Sequence, residues 1–384
     1  MKLSGLRVID LSSFLPGPYL TMSLADHGAE VIKIEQPGEG DPVRHLGLSD
    51  GPCTVYFRNL NRGKKSIALD LKAPEQKALL LELCDRADVF VETFRPGVAE
   101  RLGLGQAVLR ARNPRLVYCS ISAFGHSGPY RQRAAHDLAL EAFSGVLSLT
   151  VGSDGQPTIP AIPAADQLSA LQGLSAILMA LLRRESTGRG DFIDMAMHDA
   201  MLAACSNITG TTFAENRQPI PRHERSIGGA AFYQIYGTRD GRHVVLAGQE
   251  PKFIENLLRK LERPDLIGLC VRGPGPHQQT VIDFLGGVFG KLSLAESLDM
   301  LSTLDVCYGP VNTLPEAFAD PHALARGMVL VDEAGRRHIA PAIRFAEEPA
   351  APRLQAPALN EHLDEVVQSW LGRGAPAGKA GAGS

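Results

Sequence analysis

A strand, a helix and a second strand follow one another within the first 35 residues, and this order constrains the fold more than any other feature of the sequence. Residues 6–11 form a short β-rich run, and residues 30–35 form a second one that ends before Pro37-Gly38. Between them, a predicted turn at Pro16-Gly17-Pro18 precedes apolar residues at helical spacing over positions 19–27. Strand–helix–strand units build parallel sheets, so we predict an α/β fold.

The same alternation of strands and helices continues to about residue 120. We predict strands at residues 66–70, 87–91 and 115–120, and a helix at residues 74–85 that begins with a proline, as first helical turns prefer. These elements predict a doubly wound, Rossmann-like domain. The glycine-rich fingerprint G-x-G-x-x-G is absent after the first strand, so the sheet does not imply a nicotinamide cofactor.

The chain changes character after a long apolar helix that we predict at residues 166–184. From residue 206 the sequence becomes polar and irregular, which is typical of a linker. Two β-rich runs on either side of Asp240-Gly241 then predict a hairpin. Residues from 311 lead back towards the larger unit, and the Gly- and Ala-rich residues 372–384 predict a disordered tail.

The composition excludes several classes of protein. The 384 residues suffice for two or three domains with a sizeable core, and a hydrophobic fraction of 44% excludes bulk disorder. The 39 Lys and Arg residues nearly balance the 42 Asp and Glu residues, which gives a net charge of −3. A general nucleic-acid binder needs a basic face, so we expect no nucleic-acid partner.

The cysteine, histidine and hydropathy patterns predict a cytoplasmic protein without a metal site. The six cysteines form no C-x-x-C pair and the 11 histidines form no H-E-x-x-H motif, so no metal-ligand spacing is present. The N-terminus carries charge where a signal peptide needs an apolar run. The longest apolar stretch, near residues 174–182, is about half a membrane span, so we expect no membrane contact.

Three sites carry side chains suited to acid–base chemistry. His136-Asp137 joins the usual proton carrier near neutral pH to a carboxylate that could orient it. Asp166 opens the long apolar helix and suits an N-cap, but also a general base or a nucleophile. Glu250 follows a strand candidate and precedes Pro251. Taken singly, each site fits an ordinary structural role better, as a loop histidine, a helix cap or a turn.

Taken in order and spacing, several segments resemble the family III CoA-transferases, the group that includes formyl-CoA transferase and α-methylacyl-CoA racemase. The resemblance runs from Leu3 to about Trp370. Besides the first two strands with Pro16-Gly17-Pro18, the segments that carry it are Asn61-Arg62-Gly63-Lys64-Lys65-Ser66, Asp88-Val89-Phe90-Val91-Glu92-Thr93-Phe94-Arg95-Pro96-Gly97, Asn113-Pro114-Arg115-Leu116, Phe124-Gly125-His126-Ser127-Gly128-Pro129 and Thr187-Gly188-Arg189-Gly190.

The resemblance implies a Rossmann-like large domain, a smaller α/β domain and an interlocked homodimer. The implied boundaries are the first part of the large domain at residues 1–205, a linker at 206–224, the small domain at 225–310, a return to the large domain at 311–371 and a disordered tail at 372–384.

The resemblance also implies an acyl-CoA substrate, with coenzyme A as part of that substrate and no permanently bound cofactor. The positions that match the family's CoA-binding residues are Phe14, Lys72, Arg95, Val98 and Arg101. Arginine and lysine side chains and backbone N–H groups suit the phosphates of CoA. The family often has arginine directly after the second strand, where this chain has Gln36.

Two chemistries occur within this family. In the racemases a histidine and an aspartate move the α-proton of a 2-methylacyl thioester between its two faces. The matching positions here are His136 and Asp166, with Asp137 and Glu250 orienting or tuning His136. In the transferases the carboxylate that matches Asp166 attacks the thioester to form a mixed anhydride, and CoA then passes to a carboxylic acid. We expect racemisation first and CoA transfer second; a CoA-binding protein without catalysis is a third alternative.

Overall fold

The computed structural model describes residues 1–374; the rest of the predicted tail, residues 375–384, lies outside the described residues. The chain divides into two compact units, which are described one at a time. Unit 1 contains Met1–Ser144, Ala161–Ala204 and the described residues from His322 onward. Unit 2 contains Gly145–Pro160 and Cys205–Pro321, so residues 145–160 fall outside the large unit in which the sequence pattern places them.

A parallel sheet forms the centre of unit 1. Its strands are β1 (Arg7–Leu11), β2 (Glu30–Glu35), β3 (Lys65–Ala68), β4 (Val89–Glu92), β5 (Val117–Ser122) and β6 (Phe192–Ala196). Their spatial order is β3-β2-β1-β4-β5-β6, and every neighbouring pair is parallel. This doubly wound order confirms the predicted α/β fold with a parallel sheet.

Helices connect these strands and cover the sheet. The helices in the first part of unit 1 are α1 (Pro16–Asp26), α2 (Val55–Asn61), α3 (Pro74–Cys84), α4 (Val98–Arg101), α5 (Gln106–Arg112), α6 (Asp137–Phe143), α7 (Ala164–Thr187) and α8 (Met197–Ala204). As predicted, α3 begins with a proline, which lacks the N–H that a first helical turn leaves unpaired.

Unit 2 is built on an antiparallel sheet with helices beside it. Its strands are β7 (Tyr233–Gly237), β8 (His243–Ala247) and β9 (Tyr308–Pro310), in the order β7-β8-β9. Its helices are α9 (Gly210–Glu215), α10 (Pro251–Lys260), α11 (Ile267–Cys270), α12 (Gln279–Phe289), α13 (Leu294–Ser302) and α14 (Leu314–Ala319). The hairpin predicted around Asp240-Gly241 is confirmed, whereas β9 has no clear signal in the sequence.

The segment predicted as a linker contains structure of its own. Helix α9 falls inside residues 206–224, and this whole stretch belongs to unit 2. Residues beyond unit 2 return to unit 1 through α15 (Pro321–Ala325), the antiparallel strands β10 (Val329–Val331) and β11 (Arg337–Ile339), and α16 (Leu363–Leu371).

The core of unit 1 lies against the sheet, because the strands are apolar on both faces. Every residue of β4 and of β5 is buried, as expected for parallel strands with helices on both sides. On one face the sheet packs against apolar side chains of α3 and of the returning helix α16, including its buried Trp370. The last helix therefore completes a core that begins with the first strand.

The predicted turn at Pro16-Gly17-Pro18 is wrong, because these residues form the first turn of α1. A proline fits this place since the first N–H groups of a helix have no partner within it. Gly17 is required by a close approach: a Cβ atom on it would overlap the side chain of Ser12. The tight connection from β1 into α1 thus depends on a glycine without a side chain.

Helix α7 is the longest helix of the described residues. It packs against α1, α6 and α8 and against β5 and β6. It is long enough and apolar enough to cross a membrane, judged by its length and composition alone. The apolar stretch at residues 174–182, on which the sequence expectation was based, is too short to indicate this. The length and composition of α7 are weak support for a membrane span, since the core helix of a soluble protein passes the same test.

We predict that Gly17→Ala destabilises the protein, because the new methyl group must displace Ser12 or shift α1 away from β1. Overpacking of this kind costs about 1–3 kcal/mol of unfolding free energy. Thermal or urea denaturation measures the change. Gly286→Ala is the matched control, since Gly286 also lies within a helix but has open space around it. It should leave the stability unchanged or raise it by up to about 1 kcal/mol. Equal stability of Gly17→Ala and the parent protein would contradict the prediction.

Candidate active site

The carboxyl edge of the sheet holds a cavity where the strand order reverses. The chain runs from β1 to β2 and β3 on one side, and then to β4, β5 and β6 on the other. Ligands of doubly wound proteins bind at such a switch point. A cavity of about 600 Å³ lies at this edge and is lined by the ends of β1 and β2, by residues 69–72, and by Phe94 and Leu102.

Two buried ion pairs lie at this edge of the sheet, and Lys33 and Asp41 of one pair line the cavity. Lys64 Nζ lies 2.9 Å from Asp10 Oδ2, and Lys33 Nζ lies 2.8 Å from Asp41 Oδ2. Lys33 also donates to the carbonyl of Ser12 at 2.8 Å, directly after β1. Burial alone would raise the pKa of Asp10, but the charges of Lys64 and Lys33 outweigh it and hold that pKa well below its ordinary value. Burial lowers the pKa of Lys64 to about 8.

One of the predicted CoA-binding residues lines the cavity. Lys72 lines it and is exposed, and Gln36 lines it as well. Arg95, Val98 and Arg101 lie on the turn after β4 and on the short helix α4, in the segment between the cavity-lining residues Phe94 and Leu102. Their role in binding CoA stays a prediction.

Phe14 connects this edge to the predicted acid–base residues. Its backbone adopts a left-handed conformation, with φ of 65°, and its N–H donates to Asp41 Oδ1 at 3.4 Å. Left-handed conformations cost energy for residues other than glycine and recur at functional sites. The half-exposed Phe14 ring contacts the His136 ring edge-on, with the ring centroids 6.0 Å apart.

His136, Asp137 and Asp166 meet where α6 and α7 begin. His136 is the N-cap residue of α6, and its side chain is exposed. The Asp166 N–H donates to Asp137 Oδ1 at 3.1 Å. Because Asp137 follows His136 directly, this bond brings the start of α6 to the start of α7. The first turns of α6 and α7 are therefore in contact, and the joint role of His136 and Asp166, thirty positions apart in sequence, stays a prediction.

One expectation about these residues is corrected. Asp166 is not the N-cap of its helix, because α7 begins at Ala164 and Asp166 is its third residue. The expected role of Asp137 in orienting His136 stays a prediction; its carboxylate accepts a hydrogen bond from the Asp166 backbone. Asp137 thus takes part of the role that an N-cap side chain would otherwise fill for α7.

The Asp166 carboxyl group titrates near neutral pH. Burial raises its pKa to about 7, and the negative charge of Asp137 adds to the effect. Tyr56 lies close enough to respond: burial raises its pKa, and the charge of Asp166 raises it further. A carboxyl group with a pKa near 7 is present in both protonation states at neutral pH, which suits it to general acid and general base catalysis.

Glu250 lies in unit 2. It is the exposed N-cap residue of α10, and its backbone carbonyl accepts hydrogen bonds from the N–H groups of Phe253 and Ile254. The sequence expectation of a turn into the next helix is confirmed at this position. Its role towards His136 stays a prediction.

Glu92 was not identified from the sequence. It is the last residue of β4, it is 1% exposed, and its Oε2 accepts a hydrogen bond from the Phe94 N–H at 2.6 Å. Burial raises the pKa of Glu92 to about 7. The only signal for it is an acidic residue closing the apolar run Val89-Phe90-Val91. Glu92 fixes the start of the turn that carries Arg95.

A switch-point cavity beside a buried acidic residue and an imidazole is typical of α/β enzymes that bind nucleotide-containing substrates. The family model of CoA-transferase family III matches residues 3–363 of this chain. The chain therefore belongs to CoA-transferase family III, an enzyme family whose substrates are CoA thioesters.

Relatives of both chemistries match the chain to a similar extent. It is 32% identical to the succinyl-CoA:glutarate CoA-transferase of Homo sapiens, over 96% of this chain and 86% of that protein. It is 34% identical to the alpha-methylacyl-CoA racemase of Homo sapiens, over 96% of this chain and 94% of that protein. A CAIB/BAIF family protein from Brucella suis has a similar structure, with a TM-score of 0.81 and 33% identity over 94% of this chain and 97% of that chain. These relatives disfavour a non-catalytic CoA-binding protein, but identity does not separate the two chemistries.

We predict that Glu92→Gln changes how stability depends on pH. The folded pKa of Glu92 is raised from its ordinary 4.5 to about 7, so between these values the folded state binds more protons than the unfolded state. The stability contributed by neutral Glu92 is thus complete below pH 4.5 and is lost as pH rises through 7. Glutamine keeps the acceptor for Phe94 and does not ionise.

Thermal denaturation at pH 5 and pH 8 checks this prediction. Glu92→Gln should match the parent protein at pH 5 and exceed its Tm by several degrees at pH 8. Glu185→Gln, which removes an exposed carboxylate on α7, is the control and should change neither value. If the Tm difference between Glu92→Gln and the parent protein is the same at both pH values, Glu92 is ionised in the folded protein and the prediction is wrong.

Proposed function

We propose that this protein is an acyl-CoA racemase that moves the α-proton of a 2-methylacyl-CoA between its two faces, with His136 and Asp166 as the acid–base pair. The observation that carries the proposal is the half-buried Asp166 carboxyl group in the first turn of α7, whose pKa of about 7 suits it to accept and release a proton. The Phe14–His136 contact and the Asp137–Asp166 hydrogen bond support it, because they join these residues at one site.

The proposed reaction consists of two steps, and each step transfers one proton. The neighbouring thioester carbonyl acidifies the α-carbon, and one member of the pair takes its proton and leaves an enolate. The other member then donates a proton to the opposite face, so the product is the mirror-image centre and the two groups have exchanged protonation states. Donors around the enolate oxygen lower the barrier. In our proposal Glu250 tunes His136, and no metal takes part.

We propose that the CoA portion lies along the carboxyl edge of unit 1, on Phe14, Lys72, Arg95, Val98 and Arg101. Lys72, Arg95 and Arg101 are exposed cations that suit the phosphates of CoA. Coenzyme A then arrives and leaves as part of the substrate. A cytoplasmic location fits the scattered cysteines and stays a proposal.

CoA transfer is the second candidate, and the transferase names among the relatives favour it. In that reaction the Asp166 carboxylate attacks the thioester carbonyl, the carbon–sulfur bond breaks, and the CoA thiolate leaves a mixed anhydride. The thiolate next attacks the aspartyl carbonyl, which releases the donor acid and leaves an aspartyl thioester. The acceptor carboxylate attacks that thioester and frees the thiolate, which finally takes the acceptor's acyl group from the new anhydride and restores the Asp166 carboxylate. Only the ionised form of Asp166 is a nucleophile, and burial of its carboxyl group disfavours that form.

Incubation with 2-methylacyl-CoA in D₂O tests the leading proposal. We predict deuterium at the α-carbon with the parent protein, and a loss of at least about 100-fold with Asp166→Asn or His136→Asn, the scale of a missing acid or base. Mass spectrometry of the intact protein, with candidate acids present, follows adducts on Asp166 in parallel. Glu185→Gln is the control, since Glu185 is exposed on α7, the helix that carries Asp166.

The two chemistries give opposite patterns in this experiment. An anhydride or CoA adduct on Asp166, CoA exchange that survives His136→Asn, and no α-deuteration would favour transfer over racemisation. Deuteration that persists in both variants at the rate of the parent protein would exclude both residues as the acid–base pair.

We also propose that two copies of the chain form an interlocked homodimer from a large domain and a smaller α/β domain. Helix α7 supports this, because it exposes apolar residues at helical spacing on one side: Leu171, Leu178, Met179 and Leu182. Met179 and Leu182 are 68% and 77% exposed. Contiguous apolar surface on a chain of this size usually marks an interface, and a second copy of the chain is the proposed partner.

We predict that the double variant Met179→Glu, Leu182→Glu weakens the dimer, because it places two charges within the apolar face of α7. Light scattering after gel filtration should give a dimer for the parent protein and a smaller mass for the variant. Glu185→Gln, on the same helix, should remain a dimer. A parent protein that is monomeric at micromolar concentration would contradict the proposal.

A further inference from the structure

Glu141 lies on the same face of α6 as Asp137, one helical turn further along. Residues four apart on a helix are neighbours, so their carboxyl groups lie side by side. Glu141 Oε1 accepts a hydrogen bond from the Ala164 N–H at 3.1 Å, and Asp137 accepts one from the Asp166 N–H at the same distance. Together the two carboxyl groups take the first and third N–H groups of α7.

The second oxygen of Glu141 indicates the protonation state of this carboxyl group. Glu141 is 1% exposed, and its Oε2 is buried and accepts no hydrogen bond among the described residues. A buried carboxylate oxygen without a partner is costly. Protonated Oε2 has a partner, because it can donate to the adjacent Asp137 carboxylate. Burial and the charge of Asp137 both raise the pKa of Glu141, in agreement with a protonated form.

Asp137, on the same helix, is the charged group that acts on Glu141. Helices α7 and α8 pack against α6 and carry Asp166, His198 and Asp199 in their first turns; the His198 and Asp199 side chains are 3.4 Å apart. Asp137 already raises the pKa of Asp166, and an ionised Glu141 would add a second negative charge next to Asp137.

We propose that Glu141 is a positioning residue for the reaction at Asp166: as a neutral acid it donates to Asp137, and the two carboxyl groups together hold the first turn of α7. The inference rests on the proposed function for its consequence, since Asp166 is the reacting group. Its geometry is independent of whether Asp166 moves a proton or attacks a thioester. Glu141 acts through Asp137 and the backbone of α7 and does not contact substrate.

The structure predicts different effects for two substitutions of Glu141. Glu141→Gln keeps the acceptor for Ala164 and replaces the O–H donor to Asp137 with an N–H donor, so kcat near pH 7 should stay within about 3-fold of the parent. Glu141→Ala leaves the Ala164 N–H without this partner and Asp137 without its donor. Its kcat should fall at least about 10-fold while KM for the acyl-CoA changes less than about 2-fold, because the CoA-binding edge is untouched.

The pH profile separates positioning from a merely structural role. As pH rises, the parent protein should lose activity when Glu141 ionises, whereas Glu141→Gln should keep its activity on that alkaline side. Activity is measured as α-deuteration and as CoA exchange, and Tm is recorded for each variant to exclude unfolding. Glu185→Gln serves again as the matched control.

Infrared difference spectroscopy gives a readout without activity. The parent protein minus Glu141→Gln should show the C=O stretch of a protonated carboxylic acid at pH 7. Absence of that band, an alkaline limb that is identical in the parent and Glu141→Gln, or a folded Glu141→Ala with the parent's kcat would each overturn the inference. A parent protein with the band but without deuteration or CoA exchange would instead overturn the proposed function.

Discussion

The ion pair between Lys64 and Asp10 is the interaction on which the rest of unit 1 depends. Both side chains are fully buried, and Lys64 also donates to the carbonyl of Pro18 and to Asn61 Oδ1 at 3.0 and 2.8 Å. One ammonium group thus joins the end of β1, the first turn of α1 and the end of α2. A buried pair adds little net stability, but loss of one partner costs about 3–5 kcal/mol because the other charge stays buried.

This network also reaches the candidate active site. Lys33 pairs with Asp41, and Asp41 in turn receives the Phe14 N–H. The left-handed conformation of Phe14 is held by this bond and by the tight entry into α1 at Gly17. Phe14 then places its ring against His136. The buried charges therefore fix a strained loop, and the loop joins the proposed CoA-binding edge to the proposed acid–base residues.

Local sequence patterns were enough to predict the parallel sheet of unit 1. The strands up to β5 and the helices α1 and α3 follow from apolar runs, helical spacing and prolines, since these signals act within a few residues; α2, α4 and α5 were not predicted. The turn at Pro16-Gly17-Pro18 was predicted wrongly because proline suits a turn and a first helical turn alike. The boundary of unit 2 was missed at residues 145–160, since that segment joins its unit through contacts that are distant in sequence.

The candidate site was predictable only in part, because a sequence shows motifs but not burial. His136, Asp166 and the CoA-binding positions came from a resemblance in motif order. The structure adds the ring contact between Phe14 and His136 and the hydrogen bond from Asp166 to Asp137. Glu92 and Glu141 were not predicted as site residues, because what distinguishes them from other glutamates is the burial of their carboxyl groups. A glutamate in a strand or helix carries no signal of its own until the surrounding side chains remove it from water. Sequence identifies acidic residues, whereas only the packing around them determines which ones are neutral.

The balance between the two chemistries depends on the state of the Asp166 carboxyl group. Proton transfer uses both of its forms in turn, so a pKa near 7 gives the fastest exchange at neutral pH. Nucleophilic attack uses only the ionised form, and a thioester bound nearby would exclude more water and disfavour that form further. In our proposal Glu141 is neutral and adds no negative charge next to Asp137. A carboxyl group whose pKa is raised by burial and by Asp137 returns readily to its protonated state, which is why we propose racemisation before transfer.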